Sequence, residues 1–139
     1  MVIEHEGRAP EIAEGAHVAP NAVVRGDVVI REGAAVLFGA RIGAGSEVRI
    51  HGVVHVNSRL SPGAVVPIGW IAVGDPAEVL PPGEHERIWE IQKTLDFPGT
   101  VFEATRETPK GERTRRYARA LQRQKKDRIL RGSGPDGAR

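Results

Sequence analysis

The chain has 139 residues, which is the size of one domain, so an architecture with two large lobes is excluded. Hydrophobic residues make up 40% of it, but only three Phe, two Trp and one Tyr are present, so the core has to be aliphatic. The absence of Cys excludes a disulfide scaffold, Cys-based metal sites and thiol nucleophiles, and leaves His or carboxylate ligands for any metal.

Residues 1–11 are predicted to be an N-terminal lead-in to the first domain, and we expect no targeting signal in them. They contain no basic segment followed by an apolar run, and no stretch of the chain approaches the roughly 18 apolar residues of a membrane-spanning helix. We therefore expect a cytoplasmic protein that does not enter a membrane.

A six-residue repeat organises the next part of the chain. Large aliphatic side chains recur at every sixth residue, a place that we name position 1: Ile12, Val18, Val24, Ile30, Val36, Ile42, Val48, Val54, Leu60 and Val66. Position 4 of these hexads is mostly Gly or Asn, which tolerate positive φ, and position 5 is mostly small. A short inward-facing strand followed by a turn in every unit predicts an all-β solenoid, a parallel β-helix, over residues 12–80.

The motifs within the hexads resemble those of a known family. Residues 17–24 (His-Val-Ala-Pro-Asn-Ala-Val-Val), 26–28 (Gly-Asp-Val) and 32–34 (Glu-Gly-Ala) resemble the opening coils of γ-carbonic anhydrase-like proteins of the hexapeptide-repeat family. Residues 73–77 (Val-Gly-Asp-Pro-Ala) resemble an exit loop shared with hexapeptide acyltransferases. The resemblance implies a left-handed β-helix of about three coils, shortened as if the middle coils of a full-length relative were left out.

Two further segments follow the repeat. Residues 81–103 are predicted to cap the solenoid with an α-helix over 84–95, because Ile88, Ile91 and Leu95 fall on one face and Trp89 lies beside them.

Residues 104–139 are predicted to form a basic tail, flexible or partly helical. The tail has twelve Lys and Arg against four Asp and Glu, whereas residues 1–103 have eight against fourteen. We expect it to be a solvated extension, with binding of nucleic acid or another anionic partner as the alternative.

One outward face of the predicted solenoid is apolar. With three hexads in a coil, residues three hexads apart lie above one another, and Leu37, Phe38, His55 and Val56 come together on one face. Monomers seldom leave such a patch exposed, so we expect an oligomer contact there, and the resemblance makes the oligomer a homotrimer. The alternative is that the C-terminal helix covers this patch within one chain.

The histidines decide which chemistry the sequence allows. The resemblance implies zinc held by three His at a subunit boundary, where the metal would lower the pKa of bound water. Residues 54–57 (Val-His-Val-Asn) resemble the first-ligand segment and place His55 at position 2, as in those enzymes. His51 stands at position 4, a turn position, and Leu37 and Val73 are stacked on His55. The predicted site is therefore incomplete, with His55 as the candidate catalytic residue and His55 and His51 as the candidate metal ligands.

Three functional hypotheses follow, and they leave enzymatic activity open. The first is a γ-carbonic anhydrase-like trimer with an incomplete zinc-histidine site and without strong carbonic anhydrase activity. The second is an active zinc enzyme with a rearranged site, in which copies of His55, or His55 and His51 of adjacent chains, share a zinc, cobalt or iron ion. The third is a CoA-dependent acyltransferase with a His general base.

Overall fold

The computed structural model describes residues 1–96 and, beyond them, residues 100, 109, 111, 112, 114, 115, 118, 119 and 122. The chain divides into two compact units, residues 1–97 and 98–139. The predicted domain bounds at residues 11, 80 and 103 remain a prediction. No helix among the described residues is long and apolar enough to cross a membrane.

The first unit is built from short strands that lie in three sheets. The strands are β1 (Val2–Ile3), β2 (Glu11–Ile12), β3 (His17–Val18), β4 (Val23–Arg25), β5 (Val29–Ile30), β6 (Ala35–Val36), β7 (Arg41–Ile42), β8 (Glu47–Val48), β9 (Val53–Val54), β10 (Arg59–Leu60), β11 (Val65–Val66), β12 (Ile71–Gly74) and β13 (Ala77–Leu80). We name the sheets by their strand orders: sheet 1 is β1-β4-β7-β10, sheet 2 is β2-β5-β8-β11, and sheet 3 is β3-β6-β9-β12-β13. Successive strands thus visit the three sheets in turn, which makes each set of three one coil.

The register between coils follows the hexad. Strands pair in parallel with partners three hexads away, such as Val18 with Val36 and Val36 with Val54. The predicted fold class, a left-handed parallel β-helix with a C-terminal helix, is confirmed, with about four turns in place of about three. The additional strand β1 comes from the lead-in. Its Val2 pairs with Val24, a longer separation than three hexads, because a tight turn at His5–Arg8 takes up the excess.

The core consists of the position 1 side chains, as the repeat predicts. Eight of the ten are buried, and Ile12 and Val18 in the first coil are partly buried against them. Position 5 contributes the small buried residues Ala22, Ala40 and Ser58, among others. The corners use the left-handed backbone that position 4 predicts: His51 has φ 55° and Asn57 φ 51°, alongside glycines such as Gly33.

The last strands and the helix close the unit. β13 turns back antiparallel on β12, and α1 (His85–Gln92) follows, so the helix is shorter than predicted and turns continue to residue 96. α1 packs against β12, and Arg87 of α1 pairs with Glu78 of β13. In the second unit, the described residues between 111 and 122 are helical, and Glu112 pairs with Arg115 and Arg119. The rest of the predicted tail lies outside the described residues.

Candidate functional site

His55 lies directly after β9 on sheet 3. Its backbone N–H donates to the Ala72 carbonyl of the next coil at 2.9 Å, and its own carbonyl accepts from Ser58 N at 3.2 Å. Because β9 is in register with β6 and β12, Leu37 and Val73 hold the equivalent places in the coils on either side. The imidazole therefore stands in a column whose other members are aliphatic.

The side chain of His55 is buried within its own chain. Only 6% of its surface is exposed, and its Nδ1 atom is buried. Burial lowers the pKa of His55, because the charged imidazolium loses hydration, and a hydrogen bond with the Val56 backbone opposes this in part. The lowered pKa keeps the ring neutral at neutral pH, which is the form that a metal ligand or a general base requires.

His51 occupies a different environment. It is at the corner between β8 and β9 in the left-handed conformation, and its backbone N–H donates to the Glu32 carbonyl at 3.1 Å. Its ring lies over Gly33 in the coil below, where an added methyl group would be 2.3 Å from Nδ1. A corner residue over a glycine has a structural role, since only a glycine leaves room for the ring.

The two candidate ligands do not form a metal cage within the described part of one chain. His51 lies against Gly33, whereas His55 lies between Leu37 and Val73. Among the described residues, no group of three His, Asp or Glu side chains is placed to hold a metal ion. The described part of one chain therefore does not bring three ligands together, and a zinc site shared between subunits, as the resemblance implies, stays a prediction.

Two of the four residues of the predicted contact face are buried within the chain. Val56 is buried within the chain, as is His55, whereas Phe38 is 38% exposed and Leu37 is partly buried. Within one chain, His55 and Val56 are therefore already covered, and the predicted trimer contact through this face stays a prediction. The hexad pattern places these residues outward but contains no information about which later segment covers them.

A cluster that the sequence analysis missed lies on sheet 1. Arg41 and Arg59 are in register on β7 and β10, and both donate to Asp75 in the β12–β13 turn, at 2.6 and 2.7 Å. The hydrogen bond from Arg59 is the main reason that the pKa of Asp75 lies below its ordinary value. The three-hexad spacing of the two arginines can be recognised in the sequence. That Asp75 lies beside them cannot be recognised there.

An exposed aliphatic pair lies on the outer side of sheet 2. Ile50 and Ile68, stacked one coil apart after β8 and β11, are 44% and 63% exposed. They line a shallow depression of about 290 Å³ together with the ion-paired Arg31, Glu47 and Arg49. This face therefore combines a charged lower part with an apolar upper part, and both face solvent.

Two of the comparisons with known proteins find no relative. No protein-family model matches the chain, and no curated protein matches it. The hexad repeat and the parallel solenoid are therefore observations on the chain itself.

Three solved structures are similar to the chain. A hexapeptide transferase family protein from Anaplasma phagocytophilum is 20% identical over 68% of this chain and 91% of that chain, with a TM-score of 0.30. A putative acetyltransferase from Bacillus cereus is 16% identical over 68% of this chain and 91% of that chain, with a TM-score of 0.25. A truncated serine acetyltransferase apoenzyme is 26% identical over 56% of this chain and 40% of that chain, with a TM-score of 0.22. At these values the similarities assign no activity to this chain.

Proposed function

We propose that the chain is a γ-carbonic anhydrase-like hexapeptide-repeat protein that functions through self-assembly, as a homotrimer, and lacks strong carbonic anhydrase activity. The burial of His55 is the observation that carries this proposal. A zinc site shared between subunits needs a ligand that each chain presents at its surface, and His55 is covered by its own chain.

The column around His55 supports the same proposal. Zinc in a catalytic site binds three protein ligands and a water in a tetrahedral arrangement. Two donor atoms in addition to the imidazole nitrogen therefore have to bind the same ion, with all three within about 4 Å of one another. The neighbours of His55 in the column are Leu37 and Val73, which supply no donor. The lower half of the face, with Phe38 exposed, remains available to a second copy.

Metal analysis and native mass together test this proposal. Protein purified without an affinity tag should have the mass of a trimer, contain far less than one metal ion per chain, and hydrate CO2 no faster than buffer. His85→Ala is the matched control for adsorbed metal, because His85 is exposed on α1. One metal ion per chain, lost together with CO2 hydration in His55→Ala but retained in His85→Ala, would refute the proposal and establish the zinc alternative.

A CoA-dependent acyltransferase is the second candidate, and the exit loop of residues 73–77 favours it in part. His55 would be its general base, because the lowered pKa keeps the imidazole neutral near neutral pH, but only 6% of the residue is exposed to an acceptor hydroxyl or amine. In the exit loop, Pro76-Ala77 is followed by Glu78, where acyltransferases commonly have Lys or Arg, and Glu78 is paired with Arg87. The exit loop therefore matches that group only in part.

Acetyl-CoA tests the second candidate. A ligand that binds only the folded state raises Tm, by an amount equivalent to about 2.7 kcal/mol at 100 times Kd. For an acyltransferase we expect this shift in wild type and in His55→Gln, with acetyl transfer lost in His55→Gln. An unchanged Tm at millimolar acetyl-CoA would reject the candidate and leave the assembly proposal in place.

A further inference from the structure

Residues 91–95, which begin in the last turn of α1 and continue past its end, contact the solenoid at two points. Ile91 packs on the β12–β13 turn, where a methyl group added at Gly74 would lie 3.1 Å from its Cγ2. Four residues later, the carbonyl of Leu95 accepts a hydrogen bond of 2.9 Å from Asn57 Nδ2. Gly74 is in the fourth coil and Asn57 in the third, so residues 91–95 cross from one coil to the other.

The buried part of the predicted contact face lies beside this crossing. His55 and Val56 immediately precede Asn57, and Val73 immediately precedes Gly74. All three are buried, whereas Phe38, one coil below Val56, is exposed. The contact of Leu95 with Asn57 thus lies at the boundary between the buried and the exposed residues of this face.

The crossing segment has a defined shape. Thr94 N donates to the Ile91 carbonyl at 3.0 Å and Leu95 N donates to the Gln92 carbonyl at 3.0 Å, so the turns continue directly from the helix. The Thr94 hydroxyl adds a bond of 2.7 Å to the Ile91 carbonyl. These bonds orient the Leu95 carbonyl before it meets Asn57.

The side chain of Asn57 also contacts the coil below it. Its backbone is left-handed with φ 51°, and its Oδ1 lies over Gly39, where an added methyl group would be 2.1 Å away. The amide is thus held between the coil below and the segment after the helix. The repeat requires only a left-handed backbone at position 4, but at Asn57 the side chain makes contacts as well.

We propose that residues 91–95 are a latch over the His55 edge and that Asn57 is the residue that fastens it. Release of the latch makes the imidazole of His55 accessible to a small electrophile. The inference goes beyond the proposed function, in which the imidazole of His55 is covered by its own chain and takes no part in a reaction. It adds a conformational control on access to that group.

Chemical modification of histidine tests the latch in the full chain. Diethyl pyrocarbonate acylates exposed imidazole, and mass spectrometry of peptides reports each histidine separately. In wild type, His17 and His85 are exposed and should react fast, whereas His55 should react slowly. Asn57→Gly keeps the left-handed backbone and removes only the amide, so His55 should react about fivefold faster, the factor that corresponds to one lost hydrogen bond of about 1 kcal/mol.

Asn21→Gly is the matched control for general loosening of a corner. The Asn21 side chain accepts a hydrogen bond from Gly39 N at 2.9 Å in the same column, two coils below Asn57. This variant should leave the His55 rate unchanged. Ile91→Ala, which weakens the other contact of the latch, should accelerate His55 even if Asn57→Gly unfolds. The latch would be overturned by an unchanged rate of His55 modification in a folded Asn57→Gly or in Ile91→Ala. It would also be overturned by an equal increase of that rate in Asn21→Gly. The metal content and CO2 hydration of the wild type decide the proposed function separately.

Discussion

The outward faces of sheets 2 and 3 share one repeat but differ in what covers them. Val56 and Ile68 both occupy position 3 of a hexad, one after sheet 3 and the other after sheet 2. Val56 is 1% exposed and Ile68 is 63% exposed. The hexad therefore determines which side chains point outward, but it does not determine which of the outward side chains are removed from water.

The difference also separates the two candidate ligands. His55 is on the covered face and has a lowered pKa, whereas His51 is at the corner between the faces and packs on a glycine. Two histidines that are close in sequence thus have different physical roles. Their nearness in sequence makes them a candidate pair, but a strand lies between them.

The largest effect should come from a polar substitution at position 3. Val56→Ser removes two methyl groups from a closed site and buries a hydroxyl, so the free energy of unfolding should fall by about 2 kcal/mol. Ile68→Ser, the matched change on the open face, should alter it by less than about 0.5 kcal/mol. Urea unfolding at a fixed protein concentration measures both. Equal losses would mean that the two faces are covered alike.

A smaller effect is expected at the corner between these faces. Gly33 and Gly63 have φ of 70° and 73°, but only Gly33 faces a side chain, the ring of His51. Gly63→Ala should cost about 1 kcal/mol from backbone strain alone, and Gly33→Ala should cost more because the ring must move. The double variant Gly33→Ala with His51→Ala should return close to the Gly63→Ala value. If Gly33→Ala costs no more than Gly63→Ala, the ring does not pack there.

The smallest effect concerns pH. Because the pKa of His55 is lowered in the folded state, the unfolded chain binds more protons, and stability should decline as pH falls from about 6.5 through the folded pKa. His55→Gln should flatten this part of the profile, whereas His85→Gln should not. Unfolding midpoints between pH 7.5 and 5.0 provide the comparison. A profile that is identical in wild type and His55→Gln would show that burial does not control this group.

Much of the fold was predictable because the hexad is a local code. The position 1 aliphatics, the small residues of position 5 and the turn at His51 follow from side-chain volume and φ preference within a single hexad. β1 was not predictable in the same way, since the extra turn before β2 shifts its pairing with Val24 out of the hexad spacing. The Arg41–Asp75–Arg59 cluster depended on how the β12–β13 turn brings Asp75 to the arginines of sheet 1.

The candidate site was predictable only in part. The resemblance selected His55, and the stacking of hexads placed Leu37 and Val73 beside it. The sequence leaves the cover over His55 open, because amphipathic spacing in α1 shows that the helix needs an apolar surface but not which surface it takes.

By itself, the sequence determined the period, the inward row of aliphatics and the corners of this protein, because each depends on contacts that recur at every hexad. Only the tertiary structure decided that His55 is enclosed while Ile50 and Ile68 face solvent. The contacts of Ile91 with Gly74 and of Leu95 with Asn57 are each made once, and a contact made once leaves no periodic signal in the chain.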